Sequence, residues 1–435
     1  MVDSDSIGGR IARLDLDAQI EVAVLKNSTE NFKIENKRFR GSELDESEGA
    51  IVRCIYKGRG SIVSGNVDRE SDIDGLINYA YKLAKITGSD DFQRRFYGGR
   101  PAAATRTRIG GGKSTDFVER LIGGVNRVKN SKTLYSLNSV ASKVSVVMSG
   151  ANSFGIGGDM KAEISMLATE VISKDGSNQG TGSEYSESRN LDDIDVSDNL
   201  SSAFGIAKSM LGAKAAPTCN GQLLLDSRAA ISFLGSFVSA LDGEDVYKKK
   251  SFLGNMKNKG VAAKGVCLSE KAEVAGSLYN RSFDDEFVPT TSKDIVRYGV
   301  LKGFLHSMYS AEKMRSRPTG NDFSLTRGGI STVNLALRPG RYRFGDMLAK
   351  IKRGIYMIET GDEPNEATGD LSAMVSVGYY VENGKILYPV KETMIGANVL
   401  DMMRNVTDIG SDKRSMYGIT SPSLLIENVK ISGRA

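Results

Sequence analysis

Near the C-terminus, apolar residues alternate through Val375, Val377, Tyr379 and Val381, stop at Asn383-Gly384, and resume at Ile386 and Tyr388. A period of two puts side chains on one face of a strand. Asn-Gly accepts the positive φ that a two-residue turn between right-twisted strands requires. The segment therefore predicts a β-hairpin, and an apolar strand face must find a layer to cover it.

The rest of the chain divides by periodicity. Ile20–Val24 and Phe32–Glu35 alternate, and Ile51–Tyr56 is a more continuous apolar run, so the first 65 residues read as strands. A helix follows, with Ser71 and Asp74 at capping-box spacing and Ile73, Leu76, Ile77, Ala80 and Ala84 on one stripe. Residues 88–114 lack periodicity and read as a loop-rich linker. A second helix fits Asp116 to Val128, strands fit Val144–Met148 and Glu163–Ile172, and Asp175–Asn190 reads as an exposed loop. A helix covers Asp195 to Leu211. After Pro217 a short apolar strand, Gln222–Leu225, feeds a helix at Arg228–Leu241, and short strands with glycine turns follow, as around Tyr298-Gly299. The expectation is an α+β protein. It has an N-terminal mixed α/β domain over residues 1–215 and a C-terminal β-rich domain over residues 216–435.

At 435 residues, two or three domains fit a prior of about 150 residues each. With 40% hydrophobic and 26% charged residues, each can bury a core. A net charge of +5 spread over 58 basic and 53 acidic residues is too thin to argue for nucleic acid. The acidic start, Met1-Val2-Asp3-Ser4-Asp5, is not a signal peptide. The strongest apolar run, Ile231–Leu241, falls far short of the roughly 20 residues of a membrane span. Cys54, Cys219 and Cys267 are too scattered for a disulfide framework. A cytoplasmic protein fits best.

Several short motifs carry little. Gly110–Thr115 resembles the end of a phosphate loop, but position 107 is Thr and no apolar strand precedes it. Ser310-Ala311-Glu312-Lys313 and Ser197-Asp198-Asn199 occur in the wrong order for penicillin-recognising enzymes, without Lys-Thr-Gly. Ser153 sits in a segment that misses the nucleophile elbow by its first residue. His306, the one histidine, follows an apolar strand and reads as structural. Lys248–Lys250, continued by Lys257 and Lys259, reads as a solvated loop, with the capacity to steer an acidic partner.

Taken in order, Gly369-Asp370-Leu371-Ser372, Gly378-Tyr379-Tyr380-Val381-Glu382-Asn383-Gly384-Lys385 through Glu392, and Ile395-Gly396-Ala397-Asn398 resemble the C-terminal signature of the TldD/PmbA family. The similarity runs from about Asp226 to Asn398. The catalytic branch carries His-Glu-x-x-x-His on a helix, with two imidazoles for zinc and a carboxylate for the attacking water. If Leu241-Asp242-Gly243 aligns with the Leu-Glu-Gly after that motif, its three positions hold Leu234, Gly235 and Ser239. None is a zinc ligand. The resemblance is thus to the PmbA (TldE) branch that lacks the motif, and no metal or cofactor is expected in this chain.

That resemblance implies a C-terminal domain on a curved, largely antiparallel, barrel-like sheet. It also implies pairing with a TldD-type subunit that supplies the zinc, in a heterodimer, or a homodimer if the chain is isolated. The substrate would be an unfolded or modified peptide held as an extended strand. Substrate contacts are expected at Asp284, Asp285 and Glu286, which match a family acidic segment with Phe287 in place of its Gly. They are also expected at Thr319, Gly320 and Asn321, which match a family Ser-Thr-Gly-Asn segment. The leading expectation is a non-catalytic, substrate-holding subunit. The alternatives are a regulatory binding protein of the gyrase-modulator kind, and a stand-alone hydrolase using Ser153 or Asp285.

Overall fold

The computed structural model describes residues 2–90, 95–101 and 114–433. Six long strands build its N-terminal half: Gln19–Glu35 (β1), Arg38–Tyr56 (β2), Arg59–Asn66 (β3), Leu134–Asn152 (β4), Gly157–Asp175 (β5) and Asn178–Ser188 (β6). They form one sheet in the order β3-β2-β1-β4-β5-β6, antiparallel throughout. Helices Ser4–Leu14 (α1), Glu70–Ala84 (α2), Ser114–Val128 (α3) and Val196–Ser209 (α4) cover one face. Val22 and Val24 of β1 meet α1 and α2, and Phe32 and Ile34, on the same side of the strand, meet α3 and α4.

Three boundaries differ from the sequence reading. The two short strands expected around Val22 and Ile34 are one strand. The polar stretch between them, Lys26 to Asn31, is laddered to β2 on one side and β4 on the other, which satisfies its backbone whatever its side chains are. Helix α2 starts before Ser71, because Asp72 accepts the Arg69 N–H at 2.8 Å and caps the first turn from there.

The expected loop at Asp175–Asn190 is mostly strand β6. Its glycines suggest a turn, but Gly180 and Gly182 have another use: a Cβ on Gly180 would collide with the α4 backbone at Ala207, and one on Gly182 with it at Ala203 and Ala207. Their bareness lets the helix lie directly on the strand. The phosphate-loop-like Gly110–Lys113 falls outside the described residues, while Ser114 and Thr115 begin α3.

The C-terminal half holds an eight-stranded sheet. Along it, Asp370–Met374, Thr393–Asn398, Leu424–Gly433, Cys219–Leu225 (β7), Arg353–Glu359, Val377–Glu382 and Lys385–Pro389 lie side by side, with Val406–Ile409 paired off this path. Neighbours are antiparallel except β7 and Arg353–Glu359, which are parallel. A six-stranded sheet and a two-stranded ribbon complete it, and among the described residues no sheet closes into a barrel. The predicted hairpin is present, with Asn383 at φ 49° and Gly384 at φ 75°. Tyr380 and Val381 are both buried because strand Val377–Glu382 is covered on both faces: Tyr380 joins the main core, and Val381 packs with Met347 and Ile351. Just ahead of that strand, the Val375 N–H donates to Thr393 O.

Candidate functional site

Helix Ser227–Ser239 (α5) lies over the centre of the large sheet. Asp226 fixes its start: Oδ1 accepts the Arg228 N–H at 2.9 Å, and Oδ2 accepts the Tyr356 hydroxyl at 3.0 Å. Ala230, Leu234 and Phe237 are fully buried against Leu223, Leu225 and Ile355. The opposite face carries Ser232, Gly235, Ser236 and Ser239 and forms one wall of a cleft of about 360 Å³. Leu225, Met357, Leu371 and Met402 make an apolar floor, with Tyr417 and Ile419 at one side. The facing wall is the loop Thr360–Glu366, with Asp362, Glu363 and Glu366.

That loop is pinned to the edge strand Asp370–Met374. Asn365 N–H donates to Asp370 O at 2.8 Å, and Asp362 Oδ2 accepts the Met374 N–H at 2.6 Å. The outer end of α5 is held by the N-terminal sheet. Glu184 of β6 takes Arg228 at 2.6 Å and also pairs with Arg414, while Ser183 donates to Glu359 at 2.5 Å.

The three positions aligned with the zinc motif separate in space. Leu234 points into the core at 0% exposure, while Gly235 and Ser239 stand on the cleft wall. The Ser239 hydroxyl turns back to Gly235 O at 3.4 Å. An aliphatic chain, a bare backbone and a hydroxyl do not fit zinc, which takes imidazole, thiolate or carboxylate donors. Among the described residues no cluster of three His, Cys, Asp or Glu side chains is placed to hold a metal.

The Asp284–Glu286 segment lies away from the cleft, where the C-terminal half meets the first sheet. Asp284 accepts from the N–H groups of Glu286, Val288 and Asp322 at 3.0, 2.9 and 3.1 Å. Asp285 pairs with Arg281 at 2.5 Å and accepts from Leu325 and Thr326 N–H, both at 2.8 Å. Glu286 accepts the Met308 N–H at 2.6 Å. Arg53 of β2 donates to Asp285 O at 2.6 Å and lies 2.5 Å from Glu21 of β1. All three acids are buried and their oxygens are engaged by the chain itself. Burial, with Asp322 close by, holds the Asp284 and Glu286 carboxyls above the ordinary range.

Phe287, at the position where the resemblance implies Gly, sits at φ 59°, the left-handed region that favours glycine. Its ring is buried at 1% exposure and enters a socket on the first sheet. A Cβ on Gly150 would come within 2.5 Å of Phe287, and one on Gly158 within 2.7 Å of Phe283.

Thr319, Gly320 and Asn321 also serve internal contacts. Asn321 donates to both Glu270 oxygens at 3.0 and 3.1 Å and accepts from Lys293 at 2.7 Å. Gly320, at φ 70°, runs so close to Pro289 O that no Cβ fits. Thr319 accepts the His306 N–H at 2.8 Å. His306 is buried, packs on Gly243, and is lowered to about 4 by burial with Lys257 nearby. Ser153 exchanges hydrogen bonds with the Ile20 backbone at 2.6 and 3.0 Å, and Ser310 closes the cap of a short helix. Lys248 pairs with Glu244 at 2.6 Å on an exposed face.

Sequence reasoning passed over the Thr360–Glu366 wall. Its signal was available: Gly361-Asp362-Glu363-Pro364-Asn365-Glu366 is a turn-rich insert between two strands with three acids and no base.

The comparisons agree with this geometry. The PmbA/TldA metallopeptidase C-terminal domain model matches residues 218–433, a span that includes α5, the cleft and the hairpin. The chain belongs to the PmbA/TldD family. Among PmbA/TldD relatives, a metalloprotease PmbA homolog of Buchnera aphidicola is 24% identical over 96% of this chain and 94% of its own. A solved Thermotoga maritima protein, described as a proposed modulator of DNA gyrase, shares the fold with a TM-score of 0.88 at 22% identity, covering 98% of this chain and 99% of that one. TldE from Thermococcus kodakarensis does so at 0.84 and 19% identity, covering 99% of each chain. At these identities the structural likeness is one of fold. Among the described residues no helix is long and apolar enough to cross a membrane.

Proposed function

We propose that this chain is the substrate-holding, non-hydrolytic subunit of a TldD/TldE-type peptidase, working in the cytoplasm beside a TldD-type subunit that carries the zinc. The observation that supports it is the cleft along α5. On the helix where the catalytic branch places its metal, this chain keeps an open wall of Gly235, Ser236 and Ser239 over an apolar floor. Such a wall can touch a peptide but offers no donor set to split water. Serine hydroxyls can bond the N–H and C=O groups of an extended peptide whatever its sequence.

The test is a peptidase assay on an unfolded polypeptide, with this chain alone, the TldD-type subunit alone, and both. Cleavage should need the TldD-type subunit, rise when this chain is added, and stop with a chelator. Chelator-sensitive cleavage by this chain alone refutes the proposal. So does a TldD-type subunit that neither binds this chain nor gains activity from it.

A further inference from the structure

The peptide-holding reading leaves open which peptides the cleft prefers, and the charge of its walls supplies an answer. The chain as a whole is slightly basic, at +5. The cleft is the reverse: Asp362, Glu363 and Glu366 line it, and no Lys or Arg does. Asp362 is held in place by its bond from Met374 N–H. Among the described residues neither Glu363 nor Glu366 is ion-paired, and both are exposed. Below them the floor is apolar, and 360 Å³ is ample for one large side chain.

We infer that the cleft selects an extended, cationic peptide segment, seating one apolar side chain on the floor and setting a flanking lysine, arginine or free amine against the Glu363–Glu366 wall. This specificity rests on the peptide-holding reading. An aliphatic or aromatic side chain gains by leaving water for the Leu225, Met357 and Met402 floor. The same wall repels an acidic flank, so discrimination comes from both signs. Surface charge pairs are individually weak, but three carboxylates on one rim sum to about a tenfold preference at low salt, fading as salt screens them.

Fluorescence anisotropy with labelled peptides on the full chain tests this. Two peptides share a leucine- and phenylalanine-containing centre, one flanked by lysines and the other by glutamates. The lysine-flanked peptide should bind about tenfold tighter at low salt. In the double variant E363K/E366K the preference should invert, whereas D45K/E46K, on an exposed stretch of β2 outside the cleft, should leave it unchanged. Ser236→Phe, which fills the cleft, should weaken both peptides. Equal binding of the two peptides, or a preference that survives E363K/E366K, overturns the charge selection and leaves the peptide-holding reading standing. Failure of the wild-type chain to bind either peptide overturns both.

Discussion

Replacing Phe287 by glycine or by alanine should destabilise the protein in an unusual order. The ring is at 1% exposure and wedged against Gly150, so deleting it costs about 3–5 kcal/mol in lost burial and residual cavity. Its backbone, at φ 59°, carries a penalty of about 1–2 kcal/mol that only glycine escapes. Phe287→Gly recovers that penalty and should lose about 2–3 kcal/mol net, whereas Phe287→Ala keeps the strain and loses the full amount. Elsewhere in a chain, alanine is usually the more stable of the two. The assay is urea unfolding followed by far-UV circular dichroism and tyrosine fluorescence, since the chain has no tryptophan. The midpoint of the first transition is compared, because a chain this size need not unfold in one step. Glycine at or above wild-type stability would mean that the ring is no wedge. Alanine above glycine would mean that position 287 is not left-handed.

Other consequences follow from the same geometry. Burial raises the folded-state values of Asp284 and Glu286 above their ordinary 3.8 and 4.5, so the protonated form is favoured in the fold. Their contribution is complete below those values and is lost as pH climbs through the raised folded-state values, about 8 for Asp284; Glu286→Gln should flatten the fall in urea midpoint as pH rises. His306 works in the opposite sense: lowered from 6.5 to about 4, it contributes above pH 6.5 and withdraws as pH falls toward 4, so His306→Gln should shrink the acid-side loss in the same titration. Gly182→Val should force α4 off β6 and cost about 1–3 kcal/mol, read by thermal unfolding and by faster hydrogen exchange in β6. Grafting the motif as L234H/G235E/S239H should yield no tightly held zinc by metal analysis and a less stable chain, because position 234 faces the core.

The sequence disclosed what local physics determines. Helix α2 follows from the stripe of Ile73, Ile77, Ala80 and Ala84, and the terminal hairpin follows from Asn383-Gly384. Glycines misled wherever their role was to admit a neighbour rather than to turn. Gly180 and Gly182 read as a loop because nothing local to them announces that α4, some twenty residues on, will lie across the strand. The acidic segment Asp284–Glu286 read as a binding turn for the same reason. Its partners, Arg53 in β2 and Asp322 and Thr326 beyond it, lie far off in sequence and become visible only when the two halves meet. The cleft was half legible: the helix was predicted, but the floor gathers Met357, Leu371 and Met402 from separate strands and a helix, which no window can join.

A helix that borders a cleft and offers no metal donors has two courses. It can fill the adjoining space with core residues, or it can keep the surface small and leave the space open. The middle of the α5 face toward the cleft carries serines and a glycine, flanked by Ile231 and Phe233, while Leu234 and Phe237 turn inward. The supports around that face are also intact. Asp226 caps the helix, Glu184 ties it to the first sheet through Arg228, and Asn365 and Asp362 hold the facing loop at a fixed distance. Each of these immobilises groups at an entropic cost, which a wall with no ligand has no need to bear. Unfilled volume also forfeits dispersion contacts that a larger side chain at Ser236 would restore. The arrangement is consistent when the cleft has an occupant, and the exposed Glu363 and Glu366 then mark the side from which its charge is felt.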